Sequence, residues 1–283
     1  MTDLPLAPFV PATEPPPDLK GRPALWFAFQ GDRLLVRHQG ETADVPFLPD
    51  LGSLGLKPVR SQYLGEAGGA PCFSAELPEQ AALPAGWSCV ALRPLFAALG
   101  EPLFALAGRA FQIMDWDRTH QFCGRCGQPT EARTGERAKS CPRCGLLQFP
   151  RVAPAIIVAV VREGRILLAR ARRFPTAMYS VIAGFVEPGE SLEDCAHREL
   201  REETGIGIRG LRYFGSQSWP FPHSLMVAFT AEHAEGEIAV DGREIVDAGW
   251  YAPEELPRIP ERLSIARRLI DWFVDVQRAD RRS

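Results

Sequence analysis

No stretch of this chain stays apolar for long. The best candidate, residues 152–161, is half the ~20 residues that a membrane-spanning helix needs. Positive charge is not in excess either: the formal net charge is −3. That excludes a generally basic nucleic-acid binder, which must neutralise phosphates. The N-terminus lacks a basic stretch before its apolar residues and is broken by prolines, so no secretory signal is expected there. The chain is expected to stay in the cytoplasm. Seven cysteines, an odd number, then do not form a disulfide framework. Lysine occurs only at Lys20, Lys57 and Lys139, a coding bias with little bearing on function. What the chain has in quantity is apolar side chain: 46% of 283 residues. This is too much for disorder over most of its length and enough for about two domains.

Residues 1–20 read as a Pro-rich loose tail. Residues 21–118 read as a small α+β domain. Apolar runs at 24–29 and 34–37 flank a Gly31-Asp32 turn, which predicts a hairpin. Residues 94–117 show a helical pattern, with Leu95, Phe96, Leu99, Leu103, Phe104, Leu106, Phe111 and Met114. Nothing in this domain gathers reactive side chains, so its expected role is structural or in dimerisation. Residues 119–150 are poor in core formers. From 151 to 283 the chain reads as a compact α/β domain. Strands are expected at 155–161, 165–170 and 225–231, and helices at 191–204 and 265–278.

Cys123-Gly-Arg-Cys126 and Cys141-Pro-Arg-Cys144 are two CxxC pairs about fifteen residues apart. Each pair turns two thiolates to one side of a tight loop, and together they supply the tetrahedral sulfur set of Zn²⁺. Disulfides or a redox pair are the alternatives. Four thiolates close the coordination sphere, so one structural Zn²⁺ per chain, stapling a core-poor ribbon, is expected. Cys72, Cys89 and Cys195 stand apart as small buried apolar residues.

The densest chemistry lies between Gly184 and Ile206. Pro188-Gly189 is a turn, Ser191 with Asp194 forms an N-terminal cap, and Gly205 stops the helix. On a wheel with Leu192 at zero, Ala196 falls near about 40° and Leu200 near about 80°, marking the buried stripe. Glu199 falls near about 340° and Glu203 near about 20°, at the edge of that stripe, with Glu202 near about 280°. Solvated surface acids would lie opposite. Carboxylates partly buried this close repel and need a cation, and a hard divalent metal with oxygen ligands answers that need. Arg198 and Glu190 form a candidate ion pair that orients the preceding loop.

This segment resembles the Nudix box, G-x5-E-x7-R-E-U-x-E-E-x-G-U, in which U is a bulky aliphatic residue. Gly184, Glu190, Arg198, Glu199, Leu200, Glu202, Glu203, Gly205 and Ile206 match every fixed position. Downstream, Ser216-Gln217-Ser218-Trp219-Pro220-Phe221-Pro222-His223-Ser224 resembles the SQPWPFPxS signature of the NADH pyrophosphatase family, whose members carry a zinc ribbon and are homodimers. Ser218 stands where the signature has Pro. Phe149 stands where the family often has a substrate-contacting Tyr, keeping the ring and losing the hydroxyl. The implied fold is an α/β/α sandwich around a mixed sheet, preceded by the ribbon and the N-terminal domain.

The resemblance implies hydrolysis of the diphosphate bond of NADH or NAD⁺ to AMP and nicotinamide mononucleotide, with two or more Mg²⁺ or Mn²⁺ ions. Glu199, Glu203, Glu244 and the Ala183 carbonyl map onto metal ligands. Glu202 maps onto a general base or a further ligand, and Glu190 and Arg198 onto orienting residues. Phe149, Phe185, Ser216, Gln217, Ser218, Trp219, Pro220, Phe221, Pro222, His223 and Ala266 are the candidate substrate contacts. His38, His120, His197 and His233 belong to no constellation. One alternative is an ADP-ribose or other dinucleotide pyrophosphatase. Another is removal of an NAD cap from RNA, held by ribbon cations Arg125, Arg133, Arg137, Lys139 and Arg143, with Glu131 and Glu136 diluting them. A third is a non-catalytic binding module, against which the complete acid set argues.

Overall fold

The computed structural model describes residues 8–174 and 177–280. Residues 1–7 of the expected tail and 281–283 of the C-terminal domain lie outside the described residues. The chain divides into two compact units, Met1–Arg151 and Val152–Ser283.

In the first unit the strands are β1 (Phe9–Pro11), β2 (Ala24–Gln30), β3 (Arg33–Gln39), β4 (Thr42–Asp44), β5 (Phe47–Leu48), β6 (Arg60–Ala67), β7 (Ala70–Leu77) and β8 (Ser88–Ala91). They form one sheet ordered β1-β6-β7-β2-β3-β4, with β5 on β2 and β8 on β3. The expected hairpin is β2–β3. The expected loose tail is corrected in part, since Phe9–Pro11 pair antiparallel with Gly65–Ala67. Gly65 makes room for this: a Cβ there would stand 2.0 Å from the Val10 carbonyl oxygen. The helical pattern forms two pieces, α1 (Phe96–Leu99) and α2 (Glu101–Thr119), broken at Gly100. In α2, Phe111 packs edge-on against Phe29 of the sheet, at 5.5 Å between ring centroids.

The ribbon is a three-stranded sheet of β9 (Glu131–Ala132), β10 (Lys139–Ser140) and β11 (Leu147–Gln148). A buried ion pair links it to α2. Lys139 Nζ lies 2.5 Å from Asp117 Oδ1 and donates to the Asp117 carbonyl at 2.8 Å. Gln62 and Gln121 donate to the same carboxylate.

The second unit holds β12 (Ala153–Arg162), β13 (Arg165–Ala171), β14 (Ile182–Phe185), α3 (Leu192–Thr204), β15 (Gly207–Trp219), β16 (Ser224–Glu235), β17 (Ile245–Tyr251) and α4 (Ile265–Asp280). Its mixed sheet runs β15-β16-β12-β13-β17, with β14 on β12 and the β12–β16 pair parallel. The continuous apolar run of β12 follows from burial on both faces. Ile156, Val158 and Val160 pack with Cys195, Ala196 and Leu200 of α3. Ile157 and Ala159 pack with Ile265, Leu269, Ile270 and Phe273 of α4. This is the expected α/β/α sandwich. Among the described residues, no helix is long and apolar enough to cross a membrane.

Candidate active site

Two turns bring the four ribbon cysteines together. Gly127 N–H donates to the Cys123 carbonyl at 2.9 Å and Gly145 N–H to that of Cys141 at 3.0 Å. Both glycines are left-handed, at φ +72° and +73°, where a side chain would strain the turn. The sulfurs lie 3.5 Å apart for Cys123–Cys144 and Cys126–Cys141, and 3.7 Å for Cys126–Cys144. Tetrahedral zinc with Zn–S bonds near 2.3 Å separates its sulfurs by ~3.8 Å. The cluster fits a structural zinc site, and its closed sphere confines zinc to holding the ribbon.

Of the ribbon cations that would hold RNA in the alternative reading, three are engaged within the protein. Lys139 is buried on Asp117. Arg137 donates to the carbonyls of Ala12 at 2.7 Å and Tyr63 at 2.8 Å. Arg133 pairs with Glu136 at 3.3 Å. Arg125 and Arg143 remain exposed. The inward cations are structural because the ribbon has too few apolar side chains to anchor it, so charged stems and backbone carbonyls do that work.

In the second unit the carboxylate site is built on β14, the following loop and α3. Ser191 Oγ caps α3 by accepting from Asp194 N–H at 3.1 Å, and left-handed Gly205 ends it. Asp194 accepts from the Ser191 hydroxyl at 2.6 Å. The wheel's prediction holds: the side chain of Glu199 is 13% exposed and Glu203 is 9% exposed. Glu202 lies outward, its side chain 61% exposed.

Arg198 ties the acids together. Its guanidinium donates to both oxygens of Glu190, at 2.7 and 2.9 Å, to Glu199 at 2.9 Å, to Glu202 at 3.1 Å and to the Phe185 carbonyl at 3.0 Å. The bonds from Arg198, then the Glu187 N–H, hold the Glu190 carboxyl down at about 2. Arg198 itself is driven well above its ordinary value, first by Glu190. Beneath this clip the Cys195 thiol lies 3.4 Å from the Phe185 carbonyl, and burial pushes it up to about 12. It is a neutral packing group, as the sequence suggested for a lone cysteine.

Glu203 has no such cation on it. Burial first, then the charges of Glu199, Glu244 and Asp241, push its carboxyl up to about 7, with Arg173 opposing. Burial also raises Glu199. Like charges held this way call for a divalent cation, and the oxygen donors suit Mg²⁺ or Mn²⁺. Among the described residues only the four cysteines have their ligand atoms all within 4.8 Å of one another. The carboxylates stand further apart, with Arg198 holding Glu199 and Glu202.

Glu244 reaches the site on a loop fixed to the end of α3. Ala239 N–H donates to the Thr204 carbonyl at 2.9 Å and Asp241 N–H to that of Glu203 at 3.3 Å. The Asp241 carboxylate then accepts from the N–H groups of Glu244 and Ile245, at 2.9 and 2.8 Å. Sequence reasoning missed Asp241, although Asp-Gly two residues before Glu244 is a turn signal. It missed Arg172 and Arg173 as well, since arginine is too common here for any one to stand out. Ala183 lies on β14, opposite Ile157 of β12.

The aromatic segment is half strand and half turn. Ser216–Trp219 are strand, paired with Val227–Ser224 of β16, and only Pro220–His223 turn. Ser216 and Ser218 share one face, Gln217 and Trp219 the other. Trp219 and Phe221 meet edge-on at 5.0 Å. Phe221-Pro222 is cis. The Gln217 amide is committed to holding the start of α4, donating to the Leu263 carbonyl at 2.8 Å and accepting from Ile265 N–H at 2.7 Å. The His223 carbonyl accepts from Ala153 N–H at 2.9 Å, while its Nδ1 is buried with no partner among the described residues. Phe185 is 58% exposed. Phe149, 51% exposed, belongs to the first unit. Ala266, a candidate substrate contact, is 6% exposed, and its side chain packs in the α4 core, on the apolar stripe facing the sheet.

Residues 150–273 match the family model of the NUDIX domain, and residues 118–149 that of the NADH pyrophosphatase zinc ribbon domain. Residues 23–116 match the model of the NADH pyrophosphatase-like rudimentary NUDIX domain. That last kinship escaped the sequence reading because only the short 3-10 turn Leu51–Leu54 stands between β5 and β6, where the second unit carries the acidic α3 between β14 and β15. A NudC protein of Stutzerimonas stutzeri, described as an NAD-capped RNA hydrolase, is 48% identical over 225 residues, covering 79% of this chain and 81% of its own. Proteins of the same description from Deinococcus radiodurans and Pseudomonas fluorescens are each 44% identical, over 252 and 242 residues. The alignments cover 88% and 85% of this chain, and 86% and 83% of theirs.

Proposed function

The chain belongs to the NUDIX family, and on that premise we propose that it hydrolyses the diphosphate bond of NADH and NAD⁺, releasing AMP and reduced or oxidised nicotinamide mononucleotide. The observation that carries this reading is the pair Glu199 and Glu203. They stand one helical turn apart, 13% exposed at the side chain and 9% exposed respectively, with like charges around them. Glu199, Glu203, Glu244 and the Ala183 carbonyl would hold Mg²⁺ or Mn²⁺, two or more ions, with Glu202 as general base or further ligand. When bound, such ions neutralise phosphate oxygens and acidify a water molecule.

The chain's own residues do the positioning. Arg198 and Glu190 fix the loop between β14 and α3. Exposed Glu202 is free on its solvent side to accept a proton from the attacking water. Phe149 is carried over from the family resemblance as a substrate contact; Phe185, Trp219 and Phe221 offer flat faces for the adenine or nicotinamide ring. Ser216, Ser218, Pro220, Pro222 and His223 shape the wall beside them, and Gln217 holds that wall to α4. The ribbon, proposed to span 119–150, serves the fold through zinc, and the hydrolase is proposed to span 151–283.

A second reading is removal of an NAD cap from RNA by the same chemistry, favoured by the activity for which the NudC relatives are named. We further propose a homodimer in the cytoplasm. The family resemblance supports the dimer, and an odd set of seven cysteines, four of them gathered for zinc, supports a reducing compartment. Sedimentation as a stable monomer would defeat the dimer.

The deciding experiment is product analysis by chromatography. Protein with Mg²⁺ or Mn²⁺ is given NADH, NAD⁺, ADP-ribose and NAD-capped RNA in parallel, with Glu203→Gln as control. AMP plus reduced nicotinamide mononucleotide, formed faster than ADP-ribose is cut and absent in the control, upholds the reading. Cleavage of capped RNA alone makes RNA processing the function. Faster cleavage of ADP-ribose assigns the enzyme to that substrate, and no cleavage of any of the four defeats hydrolysis altogether.

A further inference from the structure

Three consecutive carbonyls before β17 are held by a single residue. Arg172, just past the end of β13, donates its backbone N–H to the Glu244 carbonyl at 2.8 Å. Its Nε donates to the Arg243 carbonyl at 3.0 Å and its Nη2 to the Gly242 carbonyl at 2.7 Å. From within the loop, the Asp241 carboxylate takes the N–H groups of Glu244 and Ile245, and Gly242 N–H donates to the Ile245 carbonyl at 3.0 Å. Residues 241–244 are all exposed. None of these four carries an apolar side chain into the core; buried Ile245 fixes only the end of the loop, and hydrogen bonds hold the backbone before it.

We propose that Arg172 is a positioning residue for Glu244: its forked guanidinium fixes the 242–244 backbone so that the Glu244 carboxylate is held ready for a divalent cation. The inference rests on the reading of Glu244 as a metal ligand. Two properties of the arrangement support it. A guanidinium presents several donors in a rigid plane and reaches two successive carbonyls at once, which a lysine ammonium does not reproduce. And Arg172 is a cation beside an acidic site, so as a bare charge it would weaken binding of another cation; its placement is explained by the carbonyls it holds.

The sign of the effect therefore separates positioning from charge. Mn²⁺ alone is titrated calorimetrically into the full-length, zinc-loaded protein without substrate, for wild type, Arg172→Lys, Arg172→Gln, Glu244→Gln and the Arg172→Lys/Glu244→Gln double variant. Arg172→Lys keeps the charge and loses the fork, and it is expected to weaken Mn²⁺ binding by roughly tenfold. The double variant is expected to bind no more weakly than Glu244→Gln, since Arg172 acts through Glu244. Wild-type affinity in Arg172→Lys, tighter binding in Arg172→Gln, or additive losses in the double variant would each overturn the inference while leaving Glu244 a ligand. Unchanged affinity in Glu244→Gln would remove the premise itself. Melting temperatures within a degree or two of wild type establish that the exposed substitutions leave the fold intact.

Discussion

The Glu199 carboxyl occupies the space that a side chain at Gly184 would need. A Cβ at position 184 would stand 1.9 Å from Glu199 Cδ and 2.0 Å from its Oε1. Gly184 is not left-handed, so backbone freedom does not explain it. The glycine is there because a buried carboxylate crosses β14 at that point. Gly184→Ala is therefore expected to displace Glu199 and lower kcat by about 100-fold, the scale of a misplacement of 1 Å in a catalytic group. Wild-type kcat in that variant would contradict the placement of Glu199.

Glu203 binds its proton too tightly for an ordinary carboxyl. Its folded value is about 7, above the ordinary carboxyl value of 4.5, because of burial and then the surrounding acids. The folded state thus takes up more protons than the unfolded one between those values, and stability falls as pH rises through that window. With the Mg²⁺ site empty and the zinc state matched between the two proteins, Glu203→Gln is expected to raise the melting temperature at pH 8 and leave it nearly unchanged at pH 4, while abolishing hydrolysis. Equal melting temperatures at both pH values would show that Glu203 is not strained.

Glu190 shows the opposite sign. Its carboxyl is held at about 2 by Arg198 and the Glu187 N–H. Its contribution is present above the ordinary carboxylate range and lost as pH falls through that range toward 2. Acid unfolding of Glu190→Gln, compared with wild type, should show a shallower loss between pH 4.5 and 2. Identical acid profiles would contradict the pairing.

Lys139 is 5% exposed and its partner Asp117 equally so. Lys139→Met leaves a carboxylate buried without its cation, which typically costs about 3–5 kcal/mol. Urea unfolding should register that loss. Weaker RNA binding at unchanged stability would instead return Lys139 to the RNA-holding role of the alternative reading.

Removing zinc should release the ribbon. One zinc per chain is expected by elemental analysis, and Cys141→Ser should lose it. Near-neutral stability in that variant would mean that the ribbon's core suffices without metal.

The sequence by itself determined the chemistry-bearing parts whose geometry is local. A CxxC turn and a 3.6-residue helix repeat over short distances, so the sulfur set and the buried edge of α3 were legible from spacing alone. The apolar run at 155–161 likewise declared a strand, which the structure buries on both faces. Tertiary structure decided whatever depends on partners far along the chain. It paired Phe9–Pro11 with β6, turned Lys139 and Arg137 inward, spent the Gln217 amide on α4 and set three carbonyls of 242–244 on Arg172. Charge and polarity in a sequence say what a side chain can bond, but only the folded chain supplies the carbonyl, carboxylate or buried wall that it meets.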